Sequence, residues 1–457
     1  MARAIERVKQ GKPIEDEDLQ KKERETQAQF LESEVATLLK DPELTLPSNI
    51  GAISTTFNNI LLTGGTGFLG AFLLRDLLAR AKDAKNSSFK VYCLVRAVNE
   101  EEAMVRLKNN LQGHLLWEDW YEPHIVALPG DLSKELLGLT SSVFTDLASK
   151  IDLIVHNGAY VHWLQPYDRL KATNVLGTLA VLKLASKTRL KPVHYVSTTS
   201  VYESDYHQNL KTVYEDDPFT ANPLGLSGGY PQTKWVAEKL VLAARARGIP
   251  VSIYRPGYVS GDTVNGIWNT DDFICRLIKA CIQLGAAPDL RAATLDMSPV
   301  DFVTESITNC AFDASALNKS FNVVNSNLYS FNKLFTSMHS FGYNVELVDY
   351  AVWRQKLVQA TAAADNDNAL SAMVTFFTES WADGLQNRPK TDNRNLQEAR
   401  KNAAFPDIDN ILLTYFSYLI QCGFIEPPLR APNNNLNINW KIISDGVQML
   451  TRTNRHK

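Results

Sequence analysis

A short apolar run, Ile60-Leu61-Leu62, passes directly into Thr63-Gly64-Gly65-Thr66-Gly67-Phe68-Leu69-Gly70. Ala71, Phe72, Leu73, Leu74, Leu77 and Leu78 then follow at helical spacing, with Arg75 and Asp76 on the outside. This reads as a buried strand, a glycine turn and a helix. The glycines answer to approach distance. A helix N-terminus offers free N–H groups and a favourable dipole to a pyrophosphate. A side chain at Gly64 or Gly67 would hold the backbone off that ligand, and one at Gly70 would push the helix off the sheet. Glycine spacing alone also marks ordinary strand-to-helix turns. Here the strand precedes and the helix follows, which is the context a dinucleotide site requires.

The same alternation continues along the chain. Further strands are predicted at Phe89–Arg96, His124–Leu128, Ile151–His156, Pro192–Ser197 and Val251–Tyr254. Helices are predicted at Glu101–Leu111, Asn174–Ser186 and Tyr230–Arg247. Strands alternating with helices imply an α/β fold, a Rossmann-type doubly wound parallel sheet. Ligands of such sheets bind beyond the carboxyl ends of the strands. After Gly261 the alternation stops. Phe273–Leu284 reads as a helix, while Thr294–Asp301 and Ser320–Val324 read as a return to the sheet. From Ser330 to about Pro428 the pattern is mainly helical, with a polar break at Asp365–Asn368. The expected organisation is a charged helical linker at 1–50, with its helix at Gln27–Lys40 docked loosely. A dinucleotide-binding domain follows at 51–262 and 294–326. A smaller helical substrate-binding subdomain occupies 263–293 and 327–430, and a tail runs over 431–457, loose at Pro432–Asn437.

Composition narrows the classes. The chain has 457 residues, 45% hydrophobic and 21% charged, enough to bury a large core. A net charge of −3 points to no nucleic-acid partner and no membrane-surface preference. Five scattered cysteines without a CxxC pair argue for a reducing compartment and against a disulfide framework or zinc site. With charged residues alternating over 1–25, no signal peptide is predicted, and the expected location is cytoplasmic. Ile411–Ile420 is about half a membrane span and reads as a buried helix.

Tyr230 and Lys234 form the sharpest candidate pair. Their spacing puts both side chains on one helix face, a turn apart, with Pro231 suited to the first turn. An ammonium beside a phenol favours phenolate and brings an ordinary pKa of about 10 toward useful acid strength. Thr198 sits at the preceding strand end within Val196-Ser197-Thr198-Thr199-Ser200, where a hydroxyl can stabilise a carbonyl oxygen. Spacing leaves open which of Ser197, Thr198 and Thr199 faces a substrate, and such a hydroxyl can equally cap local backbone. Arg96 ends the second strand, where an acid would select NAD and an arginine suits the 2′-phosphate of NADP. Arg106, one helix on, offers a second cation or is simply solvated. Asp131, Leu132, Asn157, Gly158, Ala159, Tyr254, Pro256 and Gly257 stand at or beside other strand ends, positions that line a cofactor or make turns. No carboxylate or cysteine cluster accompanies His156 and His162, so no metal site is expected. Trp163, Trp353 and Trp381 are candidates for a substrate channel, though core packing is the commoner use.

TGGTGFLG, VRA, HNGAYVHW, NVLGT, VSTTSV, YPQTK and YRPG occur in the order seen in extended short-chain dehydrogenase/reductases. More narrowly, the chain resembles the terminal thioester reductase domain of α-aminoadipate reductases, nonribosomal peptide synthetases and carboxylic acid reductases. The stretch from Asn157 to Trp163, followed by Gln165-Pro166-Tyr167, is similar to the aminoadipate branch, and Leu295–Asp301 to a stretch these domains share. The likeness covers residues 55–330 well and the later helical part in character only. It implies a catalytic triad of Thr198, Tyr230 and Lys234. It also implies that Gly64, Gly67, Gly70, Arg96, Asp131, Asn157 and Lys234 hold NADPH, with Thr63, Thr66, Phe68 and Leu69 belonging to the same glycine turn.

The implied reaction is NADPH-dependent reductive release of a phosphopantetheinyl thioester as an aldehyde, with an alcohol as the product of a second round. Tyr230 would be the proton donor and Thr198 an oxyanion donor, while Lys234 would tune Tyr230 and bind ribose. The implied partners are a carrier domain bearing the thioester, in cis or in trans, and an upstream adenylation domain. A fatty acyl-CoA reductase, a sugar-nucleotide epimerase or dehydratase, and a non-catalytic NADP-binding scaffold are the alternatives. Arg96 speaks against the sugar-nucleotide enzymes, which usually hold NAD through an acid.

Overall fold

The computed structural model describes residues 17–44 and 51–428, apart from 52, 55, 84–85, 163, 218, 220–221, 363–367, 378–380, 383–384 and 386–387. The expected tail, Trp163 and most of the polar break at 365–368 lie outside the described residues.

In chain order, α1 is Glu17–Leu38, β1 Asn59–Thr63, α2 Phe68–Asp83, β2 Lys90–Val95 and α3 Glu100–Gly113. β3 is Ile125–Pro129, α4 Ser141–Lys150, β4 Leu153–His156, α5 Tyr167–Lys171 and α6 Gly177–Ser186, with a π turn at Ala172–Leu176 between the last two. β5 is Val193–Val196, α7 Gly229–Ala246, β6 Val251–Pro256, α8 Phe273–Leu284, α9 Val300–Ala311 and β7 Ser320–Val323. The larger helices after β7 are α10 Phe331–Phe341, α11 Tyr350–Ala362 and α12 Ile408–Gln421.

Seven parallel strands form one sheet in the order β7-β6-β5-β4-β1-β2-β3. Leu61 of β1 pairs with Tyr92 on one side and Ile154 on the other. The order reverses between β1 and β4, so a crevice opens there at the carboxyl ends. Central strands of such a sheet are covered on both faces, which is why they read as continuous apolar runs. Ile60 and Leu62 pack into the layer that holds α2, α3 and α9, and Leu61 into the opposite layer with α4, α6 and α7. A third core gathers α8, α10, α11 and α12 around Trp353, Phe335 and Phe416. No helix among the described residues is long and apolar enough to cross a membrane.

Two local expectations change. Thr294–Leu295 does not rejoin the main sheet. It pairs antiparallel with Tyr329–Ser330, and Ser298–Pro299 pairs with Val259–Ser260; only Ser320–Val323 returns as a sheet strand. A run this short has too few backbone groups to hold a central position, and it serves as a brace. Helix α1 is longer than expected and not loosely held. Ala28 and Leu31 are buried, Phe30 meets Tyr167 edge-on at 5.4 Å, and Glu34 bonds the Tyr167 hydroxyl at 3.2 Å and Lys171 at 2.5 Å.

Candidate active site

β1 delivers Thr63 to the crevice, and three glycines then do different work. Gly64 has φ 77°, and a Cβ there would lie 2.8 Å from the Gly158 backbone. A Cβ at Gly70 would lie 1.9 Å from the Gly64 carbonyl oxygen, so this glycine lets α2 seat on β1. A Cβ at Gly67 would meet nothing nearer than 3.5 Å. The fold itself has room at Gly67, and Gly67 is exposed. That open space lies at the start of α2, whose first N–H groups have no intrahelical acceptor. The cradle fits a pyrophosphate. Asn110 of α3 braces it, its amide donating to the carbonyls of Gly65 at 3.2 Å and Gly67 at 3.3 Å.

β5 and α7 bring the catalytic candidates together. Thr198, two residues past the end of β5, is half-buried; its hydroxyl accepts from Ser200 N at 3.2 Å and is near enough to the Tyr230 phenol to act on its ionisation. Ser197, one residue earlier, points away and donates to buried Glu238. With the Ser197 hydroxyl committed to Glu238, Thr198 is the hydroxyl of this pair that acts on Tyr230. Lys234 is buried, donates to the Val196 carbonyl at 2.7 Å and lies 4.3 Å from the Tyr195 ring centroid. Burial pulls its amine down to about 7, opposed by Glu238. Burial also pushes the Tyr230 phenol up to about 12, opposed by the Thr198 hydrogen bond and reinforced by Glu203. The expected drawing-down of the phenol by an ammonium is therefore not what this site displays. Desolvation dominates, and both groups are driven toward their neutral forms.

Behind this face lies a charged pair that sequence reasoning passed over. Glu238 Oε1 accepts from Arg255 Nε at 2.9 Å and Nη2 at 2.6 Å, and both residues are fully buried. Glu238 follows Lys234 at the same four-residue spacing that links Lys234 to Tyr230, and that spacing was the available signal. Asn110 left no comparable pattern.

The remaining expected residues fall in three groups. Arg96 and Arg106 are exposed, and the Arg106 guanidinium donates to the Arg96 carbonyl, which fixes the chain where it leaves β2. Asp131 is half-buried and spends one carboxylate oxygen on Ser133 N and Oγ, each at 2.8 Å. Leu132 packs where a Gly158 side chain would stand, while Asn157 and Ala159 are half-buried beside the glycine turn. Thr66, Phe68 and Leu69 are half-buried where α2 begins. Tyr254 needs correction. Its ring is fully buried, stacked on Phe321 at 5.3 Å with its hydroxyl on His194 at 2.7 Å, so its side chain belongs to the core. Pro256 is buried beside Val323, and a Cβ on Gly257 would collide with the Asp296 carboxylate. Trp353 is fully buried in the helical core, and Trp381 packs against Phe377 and Tyr350. His162 accepts from the N–H groups of Leu164 and Gln165. No cluster of metal-ligating side chains occurs among the described residues.

The parallel sheet, the glycine turn at its switch point and the YxxxK helix define a Rossmann-type domain of the extended short-chain dehydrogenase/reductase kind. An NAD-binding family model described as Male sterility protein matches residues 62–307, and the chain belongs to that family. It is 36% identical over 420 residues to the L-2-aminoadipate reductase large subunit of Penicillium chrysogenum, covering 86% of this chain and 29% of that protein. It is 38% identical over 356 residues to a linear gramicidin synthase of Brevibacillus parabrevis, covering 76% of this chain and 7% of that protein. The chain thus spans under a third of the length of these curated relatives. The crystal structure of the terminal R domain from the myxalamid PKS-NRPS biosynthetic pathway superposes with a TM-score of 0.79 at 37% identity, over 87% of this chain and 99% of that one.

Proposed function

We propose that this chain is an oxidoreductase that uses NADPH to reduce an acyl thioester, carried on a phosphopantetheine arm, to an aldehyde. The observation that carries this reading is the grouping of the Tyr230 phenol with the Thr198 hydroxyl and, one turn further along α7, the buried Lys234 amine, on the fold whose glycine turn leaves an open cradle at Gly67. The relatives' names, an aminoadipate reductase and a linear gramicidin synthase, support the substrate class.

A reduced nicotinamide, when bound, supplies hydride. Gly64, Gly67 and the first turn of α2 would hold the pyrophosphate, and Arg96 the 2′-phosphate. With its pKa pushed up to about 12, Tyr230 stays protonated at neutral pH, the form that donates. Tyr230 gives its proton to the carbonyl oxygen as carbon accepts hydride, and Thr198 supplies a second hydrogen bond to that oxygen. The product is a thiohemiacetal, which breaks its carbon–sulfur bond to release thiol and aldehyde. Lys234 holds the helix to the Val196 carbonyl and presents an amine to the ribose. A carrier domain bearing the thioester and an adenylation domain that loads it are the partners this chemistry requires.

The test is to supply NADPH and a panel of pantetheine-linked acyl groups, then identify products by mass. Wild-type protein releases aldehyde, and Tyr230→Phe loses about 100-fold or more in kcat, the scale of general acid catalysis. Turnover by Tyr230→Phe at the wild-type rate would refute the acid role. Turnover of acyl-CoA in preference to every carrier-bound acyl group would favour a fatty acyl-CoA reductase.

A further inference from the structure

A chain of buried hydrogen bonds joins the floor of the dinucleotide crevice to the backbone of Tyr230, and its centre is His156. Gly158 N donates to Thr63 Oγ1 at 2.9 Å, and Thr63 Oγ1 lies 2.8 Å from His156 Nδ1. His156 Nε2 lies 2.9 Å from Thr178 Oγ1, which donates to the Asn174 carbonyl at 2.7 Å. The Asn174 side chain clamps Tyr160, accepting from its N–H at 2.7 Å and donating to its carbonyl at 3.0 Å. Asn174 Nδ2 also donates to Thr233 Oγ1 at 3.0 Å, and Thr233 Oγ1 donates to the Tyr230 carbonyl at 2.9 Å. Thr63, His156, Asn174, Thr178 and Thr233 are all at most 2% exposed.

The proton positions follow from counting. Thr178 has one hydroxyl proton, and the Asn174 carbonyl takes it, so Thr178 Oγ1 must accept from His156 Nε2–H. A neutral His156 then has a bare Nδ1, which accepts the Thr63 proton while Thr63 Oγ1 accepts from Gly158. Every donor has one acceptor and the sequence of bonds has one direction. A protonated ring would place a second donor against Thr63 and leave the Thr63 proton without a protein partner in a buried site. Burial and the neighbouring Lys234 charge hold the imidazole far down, at about 3, so the neutral form is the one present.

We propose that His156 is a positioning residue. Through Thr63 and Gly158 on one side, and Thr178, Asn174 and Thr233 on the other, it sets the distance between the glycine-turn floor and the Tyr230 phenol. It touches no substrate, and it acts by keeping donor and reacting centre in register, where misplacement of about 1 Å costs on the order of 100-fold in rate. The inference rests on the reductase reading above.

Thr178→Val cuts the chain next to His156 while keeping the side chain's shape, and Thr233→Val cuts it beside Tyr230. Each is compared with its serine counterpart, which restores the hydroxyl. Binding of NADPH is read by fluorescence titration, stability by thermal melting, and turnover with ordinary and 4-deuterated cofactor. The expected result for both valine variants is a kcat loss of about tenfold or more at unchanged KM for thioester, NADPH binding within about twofold, and a larger deuterium effect. The serine variants recover kcat. If wild-type protein turns over and a folded Thr178→Val or Thr233→Val keeps wild-type kcat and isotope effect, the positioning role is overturned. Should Thr178→Val fail to fold, Thr233→Val decides alone. If the wild type itself reduces no thioester, it is the reductase reading that falls.

Discussion

Gly67 and Gly70 look interchangeable in a motif, yet they answer to different physics. Gly70 is required by the protein, since any Cβ would overlap the Gly64 carbonyl. Gly67 is compatible with a side chain as far as the protein is concerned. Gly70→Ala is therefore expected to lower stability by about 1–3 kcal/mol, the usual cost of overpacking. Gly67→Ala is expected to melt within a degree or two of wild type, or above it, because alanine loses less backbone entropy, while weakening NADPH binding. Thermal melting and fluorescence titration separate the two, and equal stability losses would show that Gly67 also serves the fold. Arg96 makes a matching case. Its guanidinium stands exposed at the end of β2. Arg96→Ala should weaken NADPH by about 1.5–3 kcal/mol, the scale of a charge-assisted hydrogen bond, and leave NADH nearly unchanged. Equal losses for both nucleotides would place the 2′-phosphate elsewhere.

Helix α7 carries both Tyr230 and Lys234, and the energetics of burying it are visible in one side chain. Lys234 is held at about 7 against an ordinary 10.5, with desolvation as the main cause. Between those values the unfolded chain holds this proton more tightly than the folded one. The group's contribution to stability therefore rises as pH rises from about 7 toward 10.5, and it opposes folding most at and below about pH 7. Lys234→Met removes that dependence. The variant's melting temperature relative to wild type should be highest near pH 6–7 and fall steadily toward pH 10, with activity lost throughout. A difference that stays constant with pH would mean the amine is not desolvated as its surroundings require. This helix was legible before its fold was known, because Tyr230, Lys234 and the apolar face all follow one helical period. The sheet strands and glycine turn were legible for the same reason, as continuous apolar runs ending in turn residues. Thr294–Asp301 misled because apolar content alone does not say which partner a two-residue strand will find. Tyr254 misled because a strand-end position does not reveal which face its ring takes. The relay through His156 and Thr178 was beyond reach, since its members come from β1, β4, the π turn, α6 and α7 and share no spacing.

At the scale of the whole molecule, the chain beyond the helical core returns to close the sheet. β7 is an edge strand, and its outer backbone groups need partners. Glu215 Oε1 accepts from Asn322 N of β7 at 2.9 Å and from Leu396 N at 3.3 Å, while its Oε2 accepts from Asn395 N at 2.5 Å. Asn395 Nδ2 donates to the Ser320 carbonyl at 3.0 Å, and Asn322 Nδ2 to the Asp392 carbonyl at 2.8 Å. Lys390–Thr391 adds a two-residue ladder to Thr212–Val213. One carboxylate thus satisfies both the sheet edge and the N-terminus of the short helix Arg394–Ala399. Burial pushes that carboxyl up to about 7, and its three backbone N–H donors pull the other way. Glu215→Ala leaves those three donors without an acceptor in a buried place, where one orphaned group costs about 1–3 kcal/mol. Hydrogen exchange should accelerate at Asn322, Asn395 and Leu396, melting should drop, and the uncovered edge should promote concentration-dependent association visible by light scattering. NADPH binding should hardly change, because β1 stands four strands from β7, roughly 20 Å at ordinary strand spacing. Exchange that stays slow at Asn322 and Asn395 would show that the ladder and the two asparagine side chains hold the edge without Glu215. A fall in NADPH affinity as large as the fall in stability would instead mean that the two ends of the sheet are mechanically one, and that the edge strap sets the geometry of the glycine turn as well.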